Sequence, residues 1–142
     1  MRVLVTGTEG YLGCLLAPTL LARGHDVLGI DTGYYAQGWL YNGVPQTART
    51  LRKDIRHITR DDLEGVDAVV HMAELSNDPL GELLADVTYR VNHAGSVRLA
   101  ELAIEAGVVT SPPAHRCRAE LPAPASGRRA VRPRSPCRTG RT

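Results

Sequence analysis

The stretch Val3-Leu4-Val5-Thr6-Gly7-Thr8-Glu9-Gly10-Tyr11-Leu12-Gly13 decides how this chain is read. An apolar run, a glycine-punctuated turn and the start of an amphipathic segment (Leu12, Leu15, Leu16, Leu20, Leu21) follow one another directly. That is strand, turn and helix in the order a dinucleotide pyrophosphate needs. Gly7 allows the tight turn, Gly10 lets a phosphate approach the backbone, and Gly13 lets the helix pack closely on the strand. The helix start, with Tyr11 and Leu12, then offers unpaired N–H groups and the positive end of a dipole to an anion.

Working outward, a second apolar run at 26–30 ends in Asp31, 18 residues beyond Gly13. A carboxylate there is placed to accept hydrogen bonds from the hydroxyls of an adenosine ribose. It would repel a 2′-phosphate, and no Arg or Lys lies between Asp31 and Arg49 to offset it. NAD is therefore expected over NADP.

Further along, a helix is expected at 11–23, closed by Gly24 and containing Pro18, which removes one backbone bond and predicts a local kink. Residues 32–48 read as a long loop carrying Tyr34, Tyr35, Trp39 and Tyr41. A short third strand is expected at 49–53 and a helical turn opened by Asp61 and Asp62. The run 66–72 reads as a buried parallel strand. Residues 80–106 read as one helix with Val87, Val91, Leu99, Leu102, Ala103 and Ala106 on a common face, capped by Gly107. Alternating strands and helices imply right-handed βαβ units and a parallel sheet.

Composition divides the chain. Residues 1–110 carry a formal charge of −5, whereas 111–142 carry eight Arg against one acid, Glu120, and six of the nine prolines. Leu121 and Val131 are the large aliphatics of that tail. So little apolar surface does not offset the entropy of ordering, and disorder is expected. Cys14, Cys117 and Cys137 show neither a disulfide framework nor metal-ligand spacing. With no signal peptide and no apolar run near 18 residues, no membrane span is expected and the cytoplasm is the default location.

Several motifs in register carry a family resemblance. They are Thr6-Gly7-Thr8-Glu9-Gly10-Tyr11-Leu12-Gly13, then Asp31, then Asp54-Ile55, then His71-Met72-Ala73-Glu74, followed by Val91-Asn92-His93-Ala94-Gly95-Ser96. The chain resembles the extended short-chain dehydrogenase/reductase family, the sugar-nucleotide epimerases and dehydratases, over roughly residues 1–108. The resemblance implies NAD as cofactor, with Gly7, Gly10, Tyr11, Leu12 and Gly13 at the pyrophosphate and Asp31 at the ribose. It implies Asp54 and Ile55 beside adenine, and Met72, Ala73 and Asn92 along the cofactor path near the turn after strand four. The substrate of a full-length relative would be a nucleotide-linked sugar.

The sequence also departs from that pattern. Glu74 stands where the family has Ala or Gly, and Ser76-Asn77-Asp78-Pro79 is either a substrate-side segment or a polar loop that starts a helix. The family's Tyr-x-x-x-Lys pair, whose lysine lowers the tyrosine pKa, is absent: Lys53 is the one lysine, and Arg49 stands four residues before it. A fifth strand is not visible. The fold expected is α/β, a Rossmann-type doubly wound parallel sheet truncated after about four strands in the order 3-2-1-4, with a disordered C-terminal tail. It divides into an incomplete NAD-binding domain, 1–108, and a basic Pro/Arg-rich tail, 109–142. Strand four would then be an exposed apolar edge that invites aggregation or association with another chain. The tail reads either as an out-of-frame translation or as a genuine basic segment that binds a polyanion. It carries no aromatic residue for base stacking, which disfavours nucleic acid. Function is thus expected to be cofactor binding, either as the inactive NAD-binding portion of an epimerase or dehydratase or as a non-catalytic NAD-binding or sensing module.

Overall fold

Strand β1 (Arg2–Thr6) is the centre on which the rest is built. Successive side chains of a strand point to opposite faces, so Leu4 enters one apolar layer while Val3 and Val5 enter the other. The computed structural model describes residues 1–35, 48–76 and 78–110. In it, β1 pairs in parallel with β2 (Asp26–Asp31) on one side and β4 (Ala68–His71) on the other. Outside β2 lies β3 (Arg49–Arg52), and outside β4 lies β5 (Val109–Thr110), giving the order β3-β2-β1-β4-β5. Both faces of a parallel sheet must be covered. Helix α1 (Gly13–Ala22) covers one face, and α4 (Ser96–Ala106) with the 3-10 turns Ile55–His57 and Arg60–Leu63 covers the other.

The sheet therefore extends beyond the four expected strands. Val109–Thr110 forms a short fifth strand, with Ala68 opposite Val109 and Val69 opposite Thr110. The left-handed cap at Gly107 (φ 70°) turns the chain out of α4 and back along the sheet. Val69 is buried and Val70 half-buried, so the outer edge is at β5, where Val109 is exposed.

Helix α1 runs unbroken through Pro18. Its buried face is Gly13, Cys14 and Ala17, with Leu16, Leu20 and Leu21 at the margin, while Leu12 and Leu15 are exposed. Small residues are what allow this helix to lie close to β1. Cys14 is a buried free thiol whose Sγ donates to the Tyr11 carbonyl at 3.2 Å. The turn at 60–63 is closed by a capping box between Thr59 and Asp62.

The single helix expected at 80–106 is instead four pieces: α2 (Asp78–Leu83), α3 (Ala85–Tyr89), a π-helical turn (Arg90–Gly95) and α4. A π turn inserts residues into the α period and rotates the face that follows. Within α4, Leu99 and Ala103 are buried, while Ala106, in the last turn, is exposed. At the end of that turn Gly95 packs against Ile55: a Cβ there would lie 2.9 Å from Ile55 Cγ2. Gly95→Ala is expected to destabilise the fold by about 1 kcal/mol, overpacking outweighing the better helix propensity of alanine. Urea denaturation measures the sign; a stabilised variant would refute the packing argument.

Residues 36–47, with Trp39 and Tyr41, residue 77 and the segment from 111 lie outside the described residues.

Candidate functional site

The carboxyl ends of β1, β2 and β4 open into one cavity of about 570 Å³. It sits where the strand order reverses direction around β1, the place where open parallel sheets bind ligands. Its floor is the glycine turn. Gly7 has φ +77° and donates its N–H to the Ile30 carbonyl at 2.8 Å, which ties the turn to β2. Gly10 N–H folds back to the Gly7 carbonyl at 3.1 Å. A Cβ at Gly13 would overlap that same carbonyl oxygen and lie 2.7 Å from Thr8 Cα, so only glycine fits. Gly7, Gly10, Tyr11, Leu12 and Gly13 all line the cavity, at the end of α1 where N–H groups lack partners within the helix.

Asp31 stands on the opposite wall, at the tip of β2. Its two oxygens are each held from the backbone: Oδ2 accepts from Glu9 N–H at 2.9 Å and Oδ1 from Gly33 N–H at 2.7 Å. The carboxylate is thus preorganised, and each oxygen retains lone-pair capacity toward the cavity. Tyr34 and Tyr35 line the same end and are exposed.

Asp54 and Ile55 line it as well. Asp54 caps the 3-10 turn through Arg56 N–H at 2.9 Å and receives the Arg56 guanidinium on both oxygens, at 2.6–3.1 Å. Those hydrogen bonds hold its carboxyl below the usual range against the opposing effect of burial. Lys53 pairs with Asp62 at 2.5 Å.

The remaining wall is the turn after β4, where Met72, Ala73 and Glu74 line the cavity. A buried chain of hydrogen bonds sets its shape. Thr6 Oγ1 accepts the N–H groups of Met72 (3.1 Å) and Ala73 (3.2 Å). Its own hydrogen is then left for His71 Nδ1, 2.7 Å away. The network assigns the His71 proton to Nε2, which donates to Ser96 Oγ at 2.8 Å, and Ser96 donates to the Asn92 carbonyl at 2.5 Å. Burial pushes the His71 pKa down to about 4. Asn92 stands behind the wall, outside the lining. Its amide accepts Leu75 N–H at 2.8 Å and donates to the Leu75 carbonyl at 2.9 Å, so it holds the turn in place.

Ten of the eleven residues singled out from the sequence are thus gathered around one cavity, and the eleventh, Asn92, supports its wall. Thr6, Glu9 and Arg52 were not singled out. Thr6 was visible as the first letter of the glycine motif; Glu9 and Arg52 carry no signal until β3 lies beside β2. Among the described residues no group of His, Cys, Asp and Glu is arranged to hold a metal, and no helix is long and apolar enough to cross a membrane.

A parallel sheet in this order, with a glycine turn feeding α1 and an acid at the tip of β2, defines a Rossmann-type dinucleotide-binding domain. The sequence model of the NAD-dependent epimerase/dehydratase family matches residues 3–112, and the chain belongs to that family. It is similar to the UDP-glucose 4-epimerase of Mycolicibacterium smegmatis, 32% identical over 120 aligned positions, covering 76% of this chain and 36% of the relative. Among solved structures it is similar to a Thermus thermophilus UDP-glucose 4-epimerase in complex with NAD, with TM-score 0.62 and 29% identity, covering 76% of this chain and 35% of that one. It is also similar to an NAD-dependent NDP-hexosamine 5,6-dehydratase of tunicamycin biosynthesis, with TM-score 0.65, 27% identity and the same two coverages. The chain therefore spans little more than a third of these relatives.

Proposed function

We propose that this chain binds NAD in the cavity at the strand tips and forms the cofactor-binding portion of a nucleotide-sugar epimerase or dehydratase, without turnover of its own. The observation that carries the reading is Asp31, fixed by two backbone N–H groups across the cavity from a glycine cradle that a Cβ at Gly13 would fill. The cradle and the carboxylate fit the two halves of an adenosine diphosphate. Gly7, Gly10 and Gly13, with the N–H groups that open α1, receive the pyrophosphate. Asp31 accepts from the ribose hydroxyls. Asp54 and Ile55 flank the adenine, and Met72 and Ala73 lie along the path toward the nicotinamide end, held there by Thr6 and Asn92. When bound, NAD supplies a hydride acceptor. The proton abstraction that accompanies hydride transfer in the family rests on Tyr-x-x-x-Lys, which occurs nowhere in the 142 residues.

Titration of the full chain with NADH, followed by fluorescence and calorimetry, tests the proposal. Saturable 1:1 binding with no interconversion of UDP-glucose and UDP-galactose is expected. Absence of saturable binding would overturn the reading, and sugar-nucleotide conversion would overturn the claim that this chain has no turnover. Asp31→Ala is expected to weaken NADH at least tenfold, since it removes a charged acceptor from two hydroxyls at roughly 1.5–3 kcal/mol per hydrogen bond. An unchanged affinity would remove Asp31 from the site.

A further inference from the structure

Three cations lie along the segment that walls the adenosine end of the cavity, and each is matched by an acid. Arg56 is bound by Asp54, Lys53 by Asp62, and Arg52 by Glu9. The third pair is unlike the other two. Glu9 belongs to the glycine turn, lines the cavity, and has a side chain only 5% exposed, whereas Arg52 is 56% exposed and is not among the lining residues. Glu9 also donates its backbone N–H to Asp31. Arg52 in turn lies over Gly33: a Cβ there would overlap its guanidinium. Gly33 is the other residue whose N–H holds Asp31. Glu9, Asp31, Gly33 and Arg52 therefore form one unit around the tip of β2, with the guanidinium over Gly33 and turned onto the Glu9 carboxylate.

We propose that Glu9 is a coenzyme-selectivity residue, which holds Arg52 as an ion pair over Gly33, next to the Asp31 carboxylate's own backbone donor, and so denies that guanidinium to a 2′-phosphorylated dinucleotide. This rests on the NAD reading of the cavity and deepens it. Asp31 repels a 2′-phosphate by its charge, and Glu9 removes the compensating cation. An arginine is suited to a phosphate because its planar fork makes two parallel charge-assisted bonds. A guanidinium already committed to a buried carboxylate has to break that charge-assisted pair before it can turn to a phosphate. The pair is thus a latch: its strength comes from the burial of Glu9, and its consequence is felt by the ligand.

The test compares NADH and NADPH binding to the full chain and to Glu9→Gln, with folding verified by circular dichroism. Glu9→Ala, which leaves no polar group to satisfy, is the second variant and is read in the same way. Wild type is expected to bind NADH and to discriminate against NADPH. In either variant the ratio of NADPH to NADH affinity is expected to rise at least tenfold, and the rise is expected to vanish when Arg52→Gln is added. A ratio unchanged within twofold in the folded variants, or a rise that persists without Arg52, would overturn the proposal while leaving NAD binding intact. If wild type bound neither dinucleotide, the reading of the cavity itself would fail.

Discussion

Gly13→Ala is expected to lose about 3 kcal/mol of stability, the upper part of the usual range for overpacking, and to weaken NADH binding at least tenfold. The added methyl group would overlap the Gly7 carbonyl oxygen and press on Thr8 Cα, both backbone atoms of a turn that is tied to β2. A flexible side chain yields to such a contact through a rotamer change; a hydrogen-bonded turn has no equivalent freedom. Relief therefore requires α1 to move off β1 or the turn to open, and each displaces the N–H groups that would meet the pyrophosphate. Against a total stability of about 5–15 kcal/mol for a domain, a loss of this size is a substantial fraction. Gly81→Ala is the matching control, because nothing lies within 4 Å of the added Cβ. It is expected to change stability by less than about 1 kcal/mol, in the stabilising direction set by helix propensity. Urea melts and NADH titrations of both variants check this, and equal behaviour of the two would refute the close-packing argument.

The second large effect is pH dependence. Burial depresses the His71 pKa from 6.5 to about 4 in the folded protein. Between those values the unfolded chain binds a proton that the folded chain does not, so protons favour unfolding. The stability contributed by keeping His71 neutral is fully present above pH 6.5 and is lost as pH falls from there to about 4, a loss of roughly 3 kcal/mol. The network agrees in direction. Thr6 Oγ1 accepts two N–H groups and donates to Nδ1, so a proton on Nδ1 would face a hydroxyl already committed as donor. Asp54 and Asp62 are held below the usual carboxylate range. Asp54 is held down chiefly by Arg56, while in Asp62 the Lys53 and Thr59 hydrogen bonds outweigh the effect of burial. Their stabilising contributions persist above their unfolded pKa near 3.8 and are lost only below it. Urea denaturation of wild type and His71→Gln from pH 7 to pH 4 separates the two. The variant is less stable near pH 7 but lacks the slope between 6.5 and 4, so the difference narrows as pH falls; the same slope in both would refute the assignment to His71.

Much of the site was legible because its spacing is local. The glycine turn is contiguous in sequence, and Asp31 ends an apolar run of strand length, so neither depends on a long-range contact to be recognised. The extent of the sheet was less legible. Val109–Thr110 is too short to register as a periodic run and becomes a strand only because Gly107 turns it onto β4. The division of the 80–106 segment was hidden for a related reason. Its apolar residues fit an α period nearly as well as a period interrupted at 90–95, where Gly95 packs against Ile55 from a distant turn. Resemblance puts Asn92 near the β4 turn, but its task of bonding both backbone groups of Leu75 arises only from the fold, across 17 positions.

By itself, then, the sequence determined the first four strands and the helix that follows β1, the parallel sheet, the glycine turn and the acid at the tip of β2. All of these follow from periodicity and spacing within a few turns of chain. Only the tertiary structure decided what each group is bonded to. Thr6 meets His71 across 65 positions, and Glu9 meets Arg52 across 43. Such pairs come together when parallel strands align their tips, and their energies depend on burial and on partners that no local pattern encodes. The glycine motif thus specifies the tight turn between β1 and α1, whereas the register of β1, β2, β3 and β4 specifies which charges surround it.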